Sequence, residues 1–444
     1  MHDLTQVSKG EQRLALWSST LAFTVCFAVR TIFSILGIQI KKNLGLNETQ
    51  FGLLIATPIL TGSLVRLMLG VWTDQYGGRV VFSIVMMISA VATWLVTTAT
   101  TYEGFLLAAL GVGISGGGFA VGIAYVSRWY PKERQGTALG IFGMGNVGAA
   151  VTKFLAPWVM VAFGWQMVAN VWAGAIFISG VLFYLCSKDD PVLRSRRAVG
   201  KSADSLSSML GPLREVRVWR FSLYYFFVFG GFVALALWLP RYYMGAYGVD
   251  VTTAGMLGAA YSIPGSVFRA MGGWMSDKLG ARRIMYWTFG VGALCLLVLC
   301  YPATDYVVHG FKGDIKFSLS LGFVPFTIIV FILGFFMALG KAAVYKHIPV
   351  YYPHHVGAVG GVVGLIGGLG GFILPIAFGA LNDLTGVWTS CFMLLLVVVV
   401  ASLAWMHYAV RRMETEALRR MGMIDGPALP VGDGLDRIMP AASE

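Results

Sequence analysis

The 444-residue sequence is short of charge. Asp, Glu, Lys and Arg make up only 12% of it, against about 25% in a soluble domain. That deficit excludes an ordinary water-soluble enzyme. The 21 acidic residues all fall outside the long apolar runs or at their ends, with Asp383 the nearest to an exception. Cysteine is also sparse. Cys26, Cys186, Cys295, Cys300 and Cys391 lie in or beside apolar runs without CxxC spacing, so they read as small packing residues, and no metal or cofactor is expected. Histidine is nearly confined to termini and loops, which excludes the paired intramembrane ligands of a haem subunit. His347 reads as a solvated loop residue. No polar stretch is long enough for a signalling domain, and no cleavable signal peptide is expected.

Apolar residues, by contrast, make up 57% of the chain, and there are 56 glycines. Mean hydropathy is +0.73. One helical span of a bilayer takes roughly 20 apolar residues. The apolar runs give spans near 14–38, 50–72, 80–98, 104–127, 136–160, 165–187, 221–240, 252–273, 284–303, 317–345, 357–380 and 387–410. The expected fold is therefore an all-α integral membrane protein of 12 transmembrane helices. Residues 1–13 form an N-terminal segment and 14–187 a six-helix half. A charged linker at 188–220 leads to a second half at 221–410 and a tail at 411–444.

The net charge of +12 raises nucleic-acid binding, but the placement of the charge argues against it. With the N-terminus inside, 23 of the 33 Lys and Arg residues fall on the inner side. That asymmetry obeys the positive-inside rule and places both termini in the cytoplasm of a cell (bacterial inner) membrane. The basic excess is topological, and the expected surroundings are a lipid bilayer.

The two halves repeat. Gly62-Ser-Leu-Val-Arg66-Leu-Met-Leu-Gly70-Val-Trp-Thr-Asp74-Gln-Tyr-Gly77-Gly-Arg79 matches Gly265-Ser-Val-Phe-Arg269-Ala-Met-Gly-Gly273-Trp-Met-Ser-Asp277-Lys-Leu-Gly280-Ala-Arg282 at eight of 18 positions, all at one offset. A second pair, Gly145-Asn146-Val-Gly148 and Gly367-Gly368-Leu-Gly370, matches at a larger offset. Residues were therefore added between the eighth and eleventh spans, and the loop around Asp305 to Lys316 is the expected place.

Five basic residues remain inside the spans: Arg30, Arg66, Lys153, Arg269 and Lys341. No carboxylate there can neutralise them, and an unpaired charge at mid-bilayer costs several kcal/mol. Arg66 and Arg269 each lie eight residues before their Asp, about 12 Å along the helix. Two symmetry-related arginines at one depth without an acid describe an anion site. Planar guanidinium offers parallel N–H donors that suit nitrate, nitrite or formate.

The motif Gly70-x-x-x-Asp74-x-x-Gly-x-Arg79, with its copy at Gly273, Asp277 and Arg282, resembles the loop motif of the major facilitator superfamily. The resemblance implies two pseudo-symmetric six-helix halves rocking around a midplane site, with those six residues acting in gating. Together, the Gly-rich segments and paired arginines resemble the nitrate/nitrite porters of the NarK type, from about residue 14 to 410. The resemblance implies that Arg66 and Arg269 clamp nitrate. Phe119 and Phe229 would then sandwich it, Tyr225 and Asn146 would hydrogen-bond it, and Gly145 and Gly367 would let it approach. Lys153 and Lys341 match the branch that couples nitrate to protons and are the candidate carriers. Arg30 departs from the family, where an aromatic residue is expected. The resemblance implies a monomeric transporter and no enzyme. It leaves open nitrate–proton symport, nitrate/nitrite antiport, and a carrier for another small anion such as formate.

Overall fold

A computed structural model describes residues 8–130, 132–189, 191, 215–351 and 356–420. Most of the 188–220 linker and the end of the tail lie outside the described residues. Helical segments long and apolar enough to cross a bilayer number ten among the described residues. Two more helices, Glu48–Tyr76 and Val251–Leu279, complete the expected order as the second and eighth spans. At 29 residues each, they are about 43 Å long, which exceeds a ~30 Å core. They carry Arg66 and Arg269. Many large apolar side chains on the other helices are exposed, including Leu107, Phe163, Leu185 and Leu294, as a lipid-facing surface requires.

Several spans break near their middle. The first runs as Lys9–Arg30 and Phe33–Leu44, with a tight turn at Thr31. It starts earlier than the apolar run because Ser8 and Glu11 form a capping box. The Thr31 hydroxyl donates to the Phe27 and Ala28 carbonyls at 3.2 Å, and the ladder tightens there. The fourth span passes through a 3₁₀ turn at Ile114–Gly117 and the fifth through one at Met144–Val147. The seventh carries a π-turn at Phe226–Gly231. Such irregular turns recur at functional sites because they redirect side chains and free backbone groups.

The insertion between the ninth and tenth spans is a β-hairpin rather than a plain loop. Strand β1 (Thr304–Gly310) pairs antiparallel with β2 (Gly313–Leu319), Gly310 opposite Gly313. Its two-residue turn at Phe311 and Lys312 is bounded by Gly310 and Gly313. The tenth span therefore starts at Phe323, not near 317.

The halves meet along two helix pairs: the second span against the eleventh (Val356–Thr385), and the fifth (Lys132–Phe163) against the eighth. At the end away from the chain termini these contacts are tight. A Cβ at Gly379 would collide with the Glu48 carbonyl, and one at Gly255 with the Lys153 carbonyl. Asp383, at the end of the eleventh span, accepts hydrogen bonds from the backbone N–H groups of Glu48 (2.9 Å) and Thr49 (2.7 Å). It thereby caps the second span from the other half. Glu48 in turn pairs with Arg241 of the seventh span and with Lys41 at 3.5 Å. At the terminal end, the described ion pairs Glu11–Lys188, Asp277–Lys346 and Arg282–Glu414 each stay within one half. Among the described residues, the polar contacts that tie the two halves together gather at the end away from the termini.

Candidate functional site

The second and eighth spans position the site. Each presents a matched stripe one face wide: Ile59, Gly62, Ser63 and Arg66 on one, Ser262, Gly265, Ser266 and Arg269 on the other. The spacing i, i+3, i+4, i+7 keeps each set on one side of its helix. Arg66 and Arg269 lie within electrostatic reach of each other, and Tyr225 and Tyr345 lie within reach of Arg66. The buried Nε of Arg66 has no protein hydrogen-bond partner.

Aromatic rings enclose this pair. Tyr225 stacks on Phe229 with centroids 5.0 Å apart and planes 4° apart. Tyr345 meets Tyr225 edge to face at 5.0 Å, and its hydroxyl donates to the Gly360 carbonyl at 3.1 Å. Phe119 lies 5.5 Å from the Arg66 guanidinium, a cation–π contact, and packs against Phe23 and Phe142. Phe229 and Asn146 line a small cavity between the halves, together with Phe27, Phe232, Ser262 and Lys341. Phe119, Tyr225, Arg66 and Arg269 are not among that cavity's walls.

The glycines act as seats for these rings. A Cβ at Gly367 would strike the Tyr225 ring, and one at Gly368 would strike Ser63. Gly145 seats Phe23 in the same way, with 2.5 Å left for a Cβ. Phe23 and Tyr225 are thus symmetry mates, and so are Phe27 and Phe229. The aromatic partner expected in the first span is Phe27, three residues before Arg30.

Lys153 and Lys341 differ in their surroundings. Lys153 is fully buried and its Nζ donates across the halves to Ser262 Oγ at 2.6 Å. Lys341 stays within its own half. Its Nζ lies 3.1 Å from the centre of the Phe232 ring and 3.4 Å from the Gly265 carbonyl. It also lies within electrostatic reach of Arg269.

The residues of the repeated Gly-Asp-Arg motif sit at the terminal ends of the second and eighth spans. Gly77 and Gly280 end these helices with φ of 90° and 85°, a region that disfavours side chains. Arg79 donates to the Tyr184 carbonyl at 2.9 Å. Asp277 pairs with Lys346, and Arg282 lies 3.8 Å from Glu414. The side chain of Asp74 lies outside the described residues. His347 is a correction to the sequence reading: it belongs to the tenth helix, half-buried, and stacks on Phe221 at 5.8 Å and 8°. Tyr345, Phe23, Phe27 and Phe232 were not singled out from sequence. Tyr345 could have been, since it lies four residues after Lys341 on the same helix face.

Two helical halves, tied together at one end around a basic, aromatic-walled centre, define a multi-pass membrane carrier. The profile of the Major Facilitator Superfamily matches residues 19–324, and the chain belongs to that family. A Thermus thermophilus protein named a probable nitrate/nitrite antiporter, NarK1, is 42% identical, with 93% of this chain and 95% of that protein covered. The Bacillus subtilis nitrite extrusion protein is 28% identical, covering 94% of this chain and all of that protein. The chain also superimposes on a bacterial homolog of the human lysosomal transporter Spinster (TM-score 0.69, 17% identity, 91% and 98% covered) and on the nucleoside transporter NupG (TM-score 0.67, 14% identity, 89% and 99% covered). At those identities the likeness concerns the fold.

Proposed function

We propose that this chain is a secondary transporter that carries nitrate, and nitrite as the related ion, across the cell membrane by alternating access. The observation that carries the reading is the pair Arg66 and Arg269 at one depth, within reach of each other and of two phenols, with every acid outside the apolar runs or at their ends. The relatives named for nitrate and nitrite support the choice of ion. A flat monovalent oxyanion fits between planar guanidinium groups and stacked rings. The termini and the linker face the cytoplasm, in accord with the basic residues gathered there. The protein acts as a monomer without a cofactor and performs no chemical step.

The cycle follows from the charges. With the centre empty, Arg66 and Arg269 repel each other, so bringing the halves together is costly. A bound anion relieves that repulsion and lets the molecule switch. Opening the far end requires the Lys153–Ser262 bond and the contacts at Glu48 and Asp383 to break. The motifs at Gly70, Asp74 and Arg79 and at Gly273, Asp277 and Arg282 guide closure of the cytoplasmic end.

Uptake against an inside-negative potential requires a co-transported cation, and with no acid away from the ends of the spans Lys153 and Lys341 are the proton carriers. The repulsion of the empty arginine pair favours a second reading, nitrate/nitrite antiport. Proteoliposomes separate the two. Labelled nitrate uptake rises several-fold with an acid exterior under symport. A rise with internal nitrite alone, independent of pH, indicates antiport. Competition by formate at nitrate's own concentration would point to an organic-anion carrier. Under symport, Lys153→Met combined with Lys341→Met abolishes nitrate-driven proton movement. Persistence of that movement in the double variant removes both lysines from the mechanism.

A further inference from the structure

Arg30 is the intramembrane cation that the proposed cycle does not use. It is 1% exposed, and none of its three guanidinium nitrogens makes a hydrogen bond. Its guanidinium lies against Gly62 and Gly116, with Nε 2.9 Å from where a Cβ of Gly116 would stand. The Phe27 ring, 5.6 Å away, is its neighbour on the same helix. The hydroxyl of Thr61, next to Gly62, is also buried without a partner. A guanidinium carries five N–H donors. Leaving them all unpaired in the interior is costly, because each buried donor loses its water without replacement.

Internal symmetry places a cation beside the matching position of the second half. Arg30 packs on Gly62, four residues before Arg66. Its mate in the second half, Phe232, packs on Gly265, four residues before Arg269. Over the Phe232 ring stands the Lys341 ammonium. Each half therefore holds a second cation one helical turn, about 6 Å, beyond its site arginine. Arg30 feels the charge of Arg66 as Lys341 feels that of Arg269. Phe27 and Thr31, which bracket Arg30, line the cavity between the halves opposite Phe232 and Lys341. One monovalent anion at Arg66 and Arg269 leaves this outer layer of cations uncompensated.

We propose that Arg30 holds a second small monovalent oxyanion, one turn beyond the Arg66–Arg269 site toward the end away from the termini, so that two anions occupy the centre together. The inference rests on the anion-transport reading. The second position is the next station on the path, and occupation of both lowers the hold on each through mutual repulsion.

The test is the stoichiometry of nitrate binding to the purified full-length protein by isothermal titration. Wild type binds two nitrates. Arg30→Phe, which copies the residue of the other half, binds one. Arg30→Gln, which keeps a polar side chain of similar length, also binds one. Both elute as monodisperse protein. The proposal is overturned if wild type binds one nitrate, or if either well-folded variant still binds two. A wild type that binds one nitrate, lost in Arg66→Lys, keeps the transport reading while removing the second site. A wild type that binds no nitrate contradicts the transport reading itself.

Discussion

At the scale of the residue, the site depends on side chains held by what lacks a side chain. Gly367 lets Tyr225 lie flat against the eleventh span, and Tyr225 in turn stacks on Phe229 and borders Tyr345. Gly367→Ala pushes the Tyr225 ring out of place without removing any charge. The expected result is a KM for nitrate raised about tenfold, equivalent to about 1.4 kcal/mol of lost binding, with protein yield near wild type. An unchanged KM in uptake assays would show that Tyr225 does not contact the ion. The arginines were legible in the sequence because a charge in an apolar run stands out and its repeat fixes its depth. The rings were harder to read. Phe27 and Tyr345 look like packing residues in a chain with 29 phenylalanines and 18 tyrosines, and only the tertiary fold separates them from the rest.

At the scale of the element, the second span is held at its far end by groups from the other half. Asp383 caps its N-terminus, and Arg241 pairs with Glu48 at its first residue. A carboxylate at a helix N-terminus contributes up to about 1 kcal/mol through hydrogen bonds and the helix dipole. Asp383→Asn weakens that closure. Ile59 lines the cavity behind it, so Ile59→Cys in a background without native cysteines reports the opening. A membrane-impermeant maleimide applied from the far side should label that cysteine about fivefold faster with Asp383→Asn present. Equal labelling rates would show that the cap does not hold the gate. The helices themselves were legible from apolar runs, but their breaks were not. The turn at Thr31 and the π-turn at Phe226–Gly231 interrupt segments that stay apolar throughout, so composition carries no mark of them. The β-hairpin was legible in principle. A Gly-bounded two-residue turn between Thr304 and Leu319 is a hairpin signal, obscured by the hydrophobic helix that follows.

At the scale of the whole molecule, two copies of one design face each other, and they differ in how each places its buried lysine. Arg66 and Arg269 are equivalent, whereas Lys153 bridges the halves and Lys341 does not. A bridge that must break when the far end opens is placed to respond to conformation. A lysine beside a site arginine is placed to respond to the anion. The account stands on the arginine pair. The most direct measurement is the initial rate of labelled nitrate uptake into proteoliposomes by wild type, Arg66→Lys and Arg269→Lys. Lysine keeps the charge but cannot offer two parallel donors. The account predicts a loss of at least about 100-fold in each variant, or about 2.7 kcal/mol, with monodisperse protein in all three. Uptake within about threefold of wild type in either variant would contradict it.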